Sequence, residues 1–324
     1  MPTANQLTGI HHITAVASSA AENLAFYKTT LGLRLVKKTV NFDDPHAYHL
    51  YFGDGRGTPG TILTFFPWER LPPGRSGAGM VTAVAFAVSR FSLGYWSRRI
   101  AAAGRPVEKG QRFGEPALFF SDPHGLPLEL IGLEEPPSST AWENGPVEVA
   151  HAICGFHSAT ATVTTDGPAQ TLLREVMGLR LHGQEGRRYR FQTADEAAPG
   201  RFYDLVVDPQ APPGRPGGGT VHHIAFRTHS DETQSAWQAA LRQAGVSVTG
   251  VRDRKYFRSI YFQSPGGILF EIATDPPGFG IDETPDTLGS ALKLPARYEP
   301  YRDEIEKRLP PLHSENAEVA RAAG

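Results

Sequence analysis

The chain has 324 residues, 40% of them hydrophobic and 20% charged, a length and balance that suit two globular domains of ordinary size. Its 32 basic and 34 acidic residues leave a net charge of −2, so nothing in it calls for nucleic acid or an anionic membrane as partner. A single cysteine, Cys154, excludes an intrachain disulfide and a cysteine-based zinc site; its apolar surroundings predict a small buried hydrophobe rather than a nucleophile.

The opening residues, MPTANQLTGI, lack a basic region followed by an apolar run, and no apolar stretch is long enough to span a bilayer. A cytoplasmic protein is the expectation. The first strand-like segment is GIHHITAVA. The helical stretch AENLAFYKTTLG follows, with Ser19 and Glu22 at capping-box spacing and Gly32 placed for a left-handed C-cap. Next come the β-rich runs AYHLYFGDG and GTILTFFP. The same order recurs three times. VTAVAFAV precedes SLGYWSRRIAAAG, GFHSATATV precedes AQTLLREVMG, and VHHIAFRT precedes SDETQSAWQAALRQAG. Three of the four helical stretches are expected to close on glycine. The 34 glycines and 27 prolines cluster between these segments and read as turns. The fold class predicted is α+β, built from four βαβββ modules.

Internal repeats group the modules two by two. GLRL occurs at 32–35 and 178–181, and the same offset of 146 sets GIHHITA over GFHSATA. PPGR recurs at 72–75 and 212–215, an offset of 140 that also sets VTAVAF over VHHIAF. FSDPHGLPLELIG lies over FQSPGGILFEIAT at an offset of 142. Residues 1–135 and 148–275 are therefore read as two copies of one domain, joined by the linker EEPPSSTAWENGP. Residues 276–324 form an amphipathic C-terminal extension, for which capping the site and packing on the sheets are both open.

Alternation along a strand shows which side chains share a face. In VHHIAFRT, His222, Ile224 and Phe226 fall on the side a helix would cover, and His223 faces the other way. In ILFEIAT, Ile268, Phe270 and Ile272 are the apolar set and Glu271 opposes them. If modules paired in chain order, the first copy would offer His12, Ala83 and Glu129, and the second Ser158, His223 and Glu271. Each set is one ligand short. Pairing module one with module four gives His12, His223 and Glu271, a complete two-histidine, one-carboxylate set. Ala83, Glu129 and Ser158 are left as a vestigial site. An open triad of this kind favours Fe(II) over a closed structural zinc, and its N2O donors leave Mn(II) open. His46, His49, His124, His151, His182 and His313 have no comparable support and are read as surface or core residues.

The runs GIHHITAVA, YHLYFGDGRGTPGTILTFFP, GTVHHIAF and SPGGILFEIATDPPGFGIDE together resemble ring-cleaving dioxygenases of the vicinal oxygen chelate (glyoxalase/bleomycin-resistance) superfamily, above all the hydroquinone-cleaving branch. The likeness runs from about residue 8 to about residue 310. It implies two vicinal-oxygen-chelate domains and Fe(II) on residues matching His12, His223 and Glu271. It also implies help from a neighbouring histidine and a tyrosine, matching His11 and Tyr261, and from an arginine. Arg254 is the first choice for that arginine, and Arg258 is the competing one. The implied partners are a small dihydroxylated aromatic and O2, with no nucleic acid and no membrane, and homo-oligomerisation is left open. The rival reading is a glyoxalase-like metal lyase or isomerase, which shares the fold but uses four protein ligands or a second carboxylate as base. A metal-free binding protein is the third reading, and an intact triad argues against it.

Overall fold

The computed structural model describes residues 6–312. His313 lies outside the described residues. Each module contributes four strands. Module one holds β1 (Ile10–Ala17), β2 (Arg34–Val40), β3 (Tyr48–Gly53) and β4 (Ile62–Pro67). Module two holds β5 (Met80–Ser89), β6 (Glu108–Arg112), β7 (Glu115–Ser121) and β8 (Pro127–Leu133). Module three holds β9 (Phe156–Val163), β10 (Arg180–Glu185), β11 (Arg188–Gln192) and β12 (Phe202–Val207). Module four holds β13 (Thr220–Thr228), β14 (Arg252–Asp253), β15 (Arg258–Gln263) and β16 (Leu269–Thr274).

One helical segment follows the first strand of every module. These are α1 (Ala20–Leu24), which runs on as a π-helix over Ala25–Thr30; α2 (Leu93–Ala102); α3 (Gly167–Thr171), with a π-helical turn over Leu172–Val176; and α4 (Asp231–Gln243). Gly32, Gly104, Gly178 and Gly245 all adopt positive φ at the ends of these segments, so all four close on glycine rather than three. At the start of α1 only the serine half of the expected capping box forms. Ser19 accepts from the Glu22 amide, but the Glu22 side chain makes no return bond to the Ser19 amide; Glu69 reaches the helix start and accepts from the Ala20 amide.

The strands form two eight-stranded sheets, in the orders β14-β15-β16-β13-β1-β4-β3-β2 and β10-β11-β12-β9-β5-β8-β7-β6. Modules one and four thus share one sheet, and modules two and three share the other. The sheets do not follow the boundaries of the sequence copies; each takes one module from each copy. The middle strands β1 and β13 are antiparallel, and each runs parallel to the last strand of its own module. Helices cover the outer faces. In α4, Trp237 and Leu241 are buried against the sheet, and Gln234 donates to the carbonyls of Arg258 and Ile272. The apolar core is continuous across both sheets; Tyr203 of β12 meets Phe226 and Phe270 at ring-centroid distances of 5.9 and 5.7 Å.

Two features hold the first sheet in shape. The first is the turn entering β13. Gly219 has φ +78°, and a Cβ there would sit 2.0 Å from the His124 carbonyl oxygen, where backbone cannot give way. Gly219→Ala is expected to cost about 1–3 kcal/mol from backbone strain alone, with the clash adding to it, as read by urea unfolding. The second is the C-terminal segment, which packs on the sheet edge. Lys37 is fully buried and pairs with Asp282 at 2.6 Å and Glu283 at 2.5 Å. Leu292 bridges to Lys38, and Leu294, Ile305 and Leu309 cluster with Val40. Arg297 and Tyr298 both donate to the Phe42 carbonyl and so fix the loop between β2 and β3.

Candidate metal centre

Residues paired across neighbouring strands point to the same face of a sheet. Two adjacent rows cross the concave face of the first sheet. One runs Ile62, His12, Ala225, Glu271, Tyr261, and the other runs Tyr51, Thr64, Thr14, His223. His12, His223 and Glu271 meet where the rows lie side by side, and their ligand atoms all fall within 4.8 Å of one another. All three residues are buried.

The β1–β13 ladder carries two bulges, at His11 on β1 and at His222 on β13. A bulge sets two residues against one and re-aims a side chain. Each bulged histidine stands beside the following one. The Nδ1 atoms of His11 and His12 are 3.0 Å apart, and those of His222 and His223 are 2.7 Å apart. Burial and the charge of the next histidine lower the pKa of His11 to about 3 and that of His222 to about 4. Both are neutral, so each can offer a bare Nδ1 to the Nδ1–H of its neighbour. In that arrangement His12 and His223 carry their proton on Nδ1, and each Nε2 is free as a donor of electrons.

Those two Nε2 atoms approach the same carboxylate oxygen. Glu271 Oε2 lies 3.4 Å from His12 Nε2 and 3.0 Å from His223 Nε2. The other oxygen, Oε1, accepts a hydrogen bond from Ser259. Burial alone would push the Glu271 carboxyl up, but the two histidines outweigh it and hold the group well below the usual carboxylate range. Oε2 is buried with no hydrogen-bond partner among the described residues. Two imidazole nitrogens and a carboxylate oxygen converging in a buried place are a donor set that fits a divalent metal of the Fe(II) or Mn(II) type.

A cavity of about 420 Å³ opens over this cluster. His12, Thr14 and His223 form part of its floor, and Phe42, Tyr51, Phe66, Trp68 and Phe257 supply aromatic wall. Phe257 packs on the His12 ring with centroids 4.8 Å apart. Arg254 and Tyr261 occupy one side. The Arg254 Nε–H donates to the Tyr261 hydroxyl at 3.1 Å, and a second guanidinium nitrogen lies 3.5 Å from Asp43. Burial, then the Glu271 charge, raises the pKa of Tyr261, which therefore stays protonated. Arg258 points away to an ion pair with Asp231 on the outer face, so of the two arginines Arg254 is the one at the cavity.

Several placements differ from expectation. His222 does not pack under a helix; the bulge turns it out, and it lines the cavity beside Phe66. His11 touches His12 but does not line the cavity, so its reach is to His12 and not to whatever the cavity holds. His49 is no incidental residue, because it lines the cavity with Tyr51. Strand alternation in AYHLYFG carried that signal: Leu50 and Phe52 are buried on one side, which sends His49 and Tyr51 to the other. Cys154 is half-buried and hydrogen-bonded to a carbonyl.

The second sheet repeats the frame and fills it differently. His157 Nδ1 lies 3.1 Å from the Ser158 hydroxyl, as His11 does from His12. Ala83 and Ser158 supply no imidazole. Glu129 instead accepts from Arg112 Nη2 at 2.8 Å and Nε at 3.2 Å. Arg190 is buried and takes both oxygens of Asp204 at 2.8 and 3.0 Å. Guanidinium groups serve here as the cations that the carboxylates require.

Residues 9–130 and 160–272 match the family model of the Glyoxalase/Bleomycin resistance protein/Dioxygenase superfamily. The chain is 47% identical over 309 residues to the protein named "Putative ring-cleaving dioxygenase MhqO" of Bacillus subtilis (strain 168), covering 95% of this chain and 98% of that one. It is 35% identical over 309 residues to the chlorohydroquinone/hydroquinone 1,2-dioxygenase of Sphingobium indicum, covering 93% and 95% of the two. The crystal structure of a "putative dioxygenase from Bacillus subtilis subsp. subtilis str. 168" superposes with a TM-score of 0.91 at 47% identity, over 96% of this chain and 99% of that one. With its sheets, its repeats and these relatives in agreement, the chain belongs to the Glyoxalase/Bleomycin resistance protein/Dioxygenase superfamily.

Proposed function

We propose that the protein is an Fe(II)-dependent ring-cleaving dioxygenase that opens a hydroquinone, or a closely related dihydroxylated aromatic, with O2. The observation that carries this reading is the convergence of His12, His223 and the unpartnered Glu271 oxygen beside a cavity that both histidines line and that has aromatic walls. The relatives named for ring cleavage and for hydroquinone support the substrate class.

Fe(II) at this site supplies a path for electrons between a phenolate ring and O2, whose spin state otherwise keeps the two from reacting. The residues of the chain do the rest. His11 and His222 hold the ligand histidines in one tautomer. The aromatic walls sandwich a ring and exclude water, which strengthens every polar contact inside. Tyr261 already accepts from Arg254, so its own hydroxyl hydrogen is left to donate into the cavity. With the Arg254 charge behind it, that hydrogen stabilises an oxyanion as it develops on the substrate.

A lyase or isomerase is the competing reading. It needs a second carboxylate as base beside the metal. Among the described residues that line the cavity, Asp43 is the one carboxylate, and its side chain is largely exposed and directed to Arg254. The test is to load iron without air and follow oxygen uptake over a panel of hydroquinones and catechols. Uptake of one O2 per hydroquinone is expected, and a chelator should abolish it. Metal-dependent turnover without oxygen uptake would favour the isomerase. Parallel loading with Mn(II) decides between the two metals.

A further inference from the structure

A chain of hydrogen bonds runs across β3, β4 and β1, in the half of the sheet away from the β14–β15 end that carries Arg254 and Tyr261. Tyr51 Oη lies 2.9 Å from His49 Nδ1, and His49 Nε2 lies 2.8 Å from Thr64 Oγ1. The Thr64 hydroxyl donates to Thr14 Oγ1 at 2.9 Å. Thr14 is paired across the sheet with the ligand His223 and lines the cavity floor.

A hydroxyl has one hydrogen to give. Thr64 spends its hydrogen on Thr14, so it can only accept from His49. His49 must therefore carry its proton on Nε2. Burial, with His12 and His223 close by, holds the His49 pKa well below its usual value, so the ring is neutral and has a single N–H. Nδ1 is then bare and accepts from the Tyr51 hydroxyl, which burial likewise keeps protonated. Every hydrogen in the chain points toward Thr14. Thr14's own hydroxyl hydrogen has no acceptor among the described residues, and Thr14, itself buried, is one of the residues that line the cavity.

The second sheet shows what the same frame does without this device. The pairing of Arg190 with Asp204 and of Asp204 with Thr160 repeats that of Tyr51 with Thr64 and of Thr64 with Thr14. There, Arg188 donates to Thr160 directly and also to Asp204. The directed row of hydroxyls and imidazole belongs to the sheet that holds the donor triad.

We propose that His49 is a positioning residue: through Thr64 it fixes the Thr14 hydroxyl as a hydrogen-bond donor into the cavity, aimed at an anionic oxygen of the ligand. This rests on the dioxygenase reading only for the identity of that oxygen, which in a hydroquinone substrate is a phenolate. Arg254 and Tyr261 supply donors from the β14–β15 end of the sheet and Thr14 supplies one from β1. A ring with two oxygens could then be held at both.

Two measurements test this on the full chain. Nitrogen-15 NMR of the metal-free protein should show His49 as the neutral Nε2–H tautomer, and in Thr64→Val that tautomer should lose its dominance. An Nδ1–H tautomer or a charged ring in the parent protein would overturn the proposal. The second measurement uses iron-loaded protein and hydroquinone, with binding followed by calorimetry without oxygen and turnover followed by oxygen uptake. Thr14→Val should weaken binding or lower kcat on the order of 10-fold, the worth of one hydrogen bond. Thr64→Val should lose several-fold, and the double variant should be no worse than Thr14→Val alone. Iron content should not change in any of them. Additive losses, loss of iron, or a Thr14→Val protein equal to the parent would each overturn the proposal. If the parent protein takes up no oxygen with any hydroquinone, the dioxygenase reading fails, while the tautomer and calorimetric results still decide the role of His49.

Discussion

Glu271→Gln will leave the protein folded and strip it of metal, and Glu129→Gln will change neither. The two glutamates occupy matched strands, β16 and β8, after similar turns, and differ only in what they face. Glutamine at 271 can keep the hydrogen bond from Ser259 and can donate its amide hydrogens to the Nε2 atoms of His12 and His223. The fold therefore has no reason to fail. What it loses is the negative charge that a divalent cation needs beside two neutral imidazoles. Metal affinity should fall by more than the roughly 10–100-fold that losing a hydrogen-bonding partner of a ligand costs. Glu129 faces Arg112 and has only Ala83 and Ser158 in the positions of the two histidines. Iron per chain, measured after anaerobic loading and desalting, separates the two variants. Retention of iron by Glu271→Gln together with its loss from Glu129→Gln would place the metal in the other sheet and end the mechanistic assignment.

The second large effect separates the two histidines of one bulge. His223→Ala should abolish metal binding, because it removes a ligand and leaves two donors. His222→Ala should keep the metal but bind it about 10–100-fold more weakly, because the His223 ring loses the partner that fixes its tautomer and orientation. A competition titration against a chelator of known affinity reads both. His222 also lines the cavity, so its removal should raise KM for the aromatic substrate, while His11→Ala, at a residue that does not reach the cavity, should leave KM close to that of the parent. Equal loss of metal from His222→Ala and His223→Ala, with both folded, would contradict the assignment of ligand and partner.

These contrasts explain why some of the site could be read before any coordinates and some could not. Alternation along β13 and β16 is a property of the extended backbone, so Glu271 is correctly set against Ile272 and Phe270 by sequence alone. Alternation fails at a bulge, because the extra residue breaks the period of two. His222 sits at such a point, so simple counting puts it on the wrong face. His49 escapes a reading by sequence for a different reason. Its strand showed the pattern plainly, but a lone histidine gains meaning only from the groups that face it, and Thr64 and Thr14 come from two other strands. The choice of Arg254 over Arg258 likewise depends on which strand edge each side chain leaves.

The sequence by itself determined the α+β class, the four modules and their duplication, because these follow from local periodicity, turn residues and repeated motifs. It also determined which donors were available in each module. The count of ligands was enough to argue that module one belongs with module four. What only the tertiary structure decided is where the donors stand. The order of strands in each sheet brings β1 against β13 and so carries His12 to within reach of His223 and Glu271, although the chain separates them by more than two hundred residues. The role of the C-terminal segment was also decided there: it braces the sheet edge through Lys37 and holds the Phe42 loop at the cavity. The physical reason is the same throughout. Local patterns fix which way a side chain leaves its own strand, but a metal site, a buried ion pair and a hydrogen-bond relay are each made by groups from different strands, and their energies exist only once those strands are packed together.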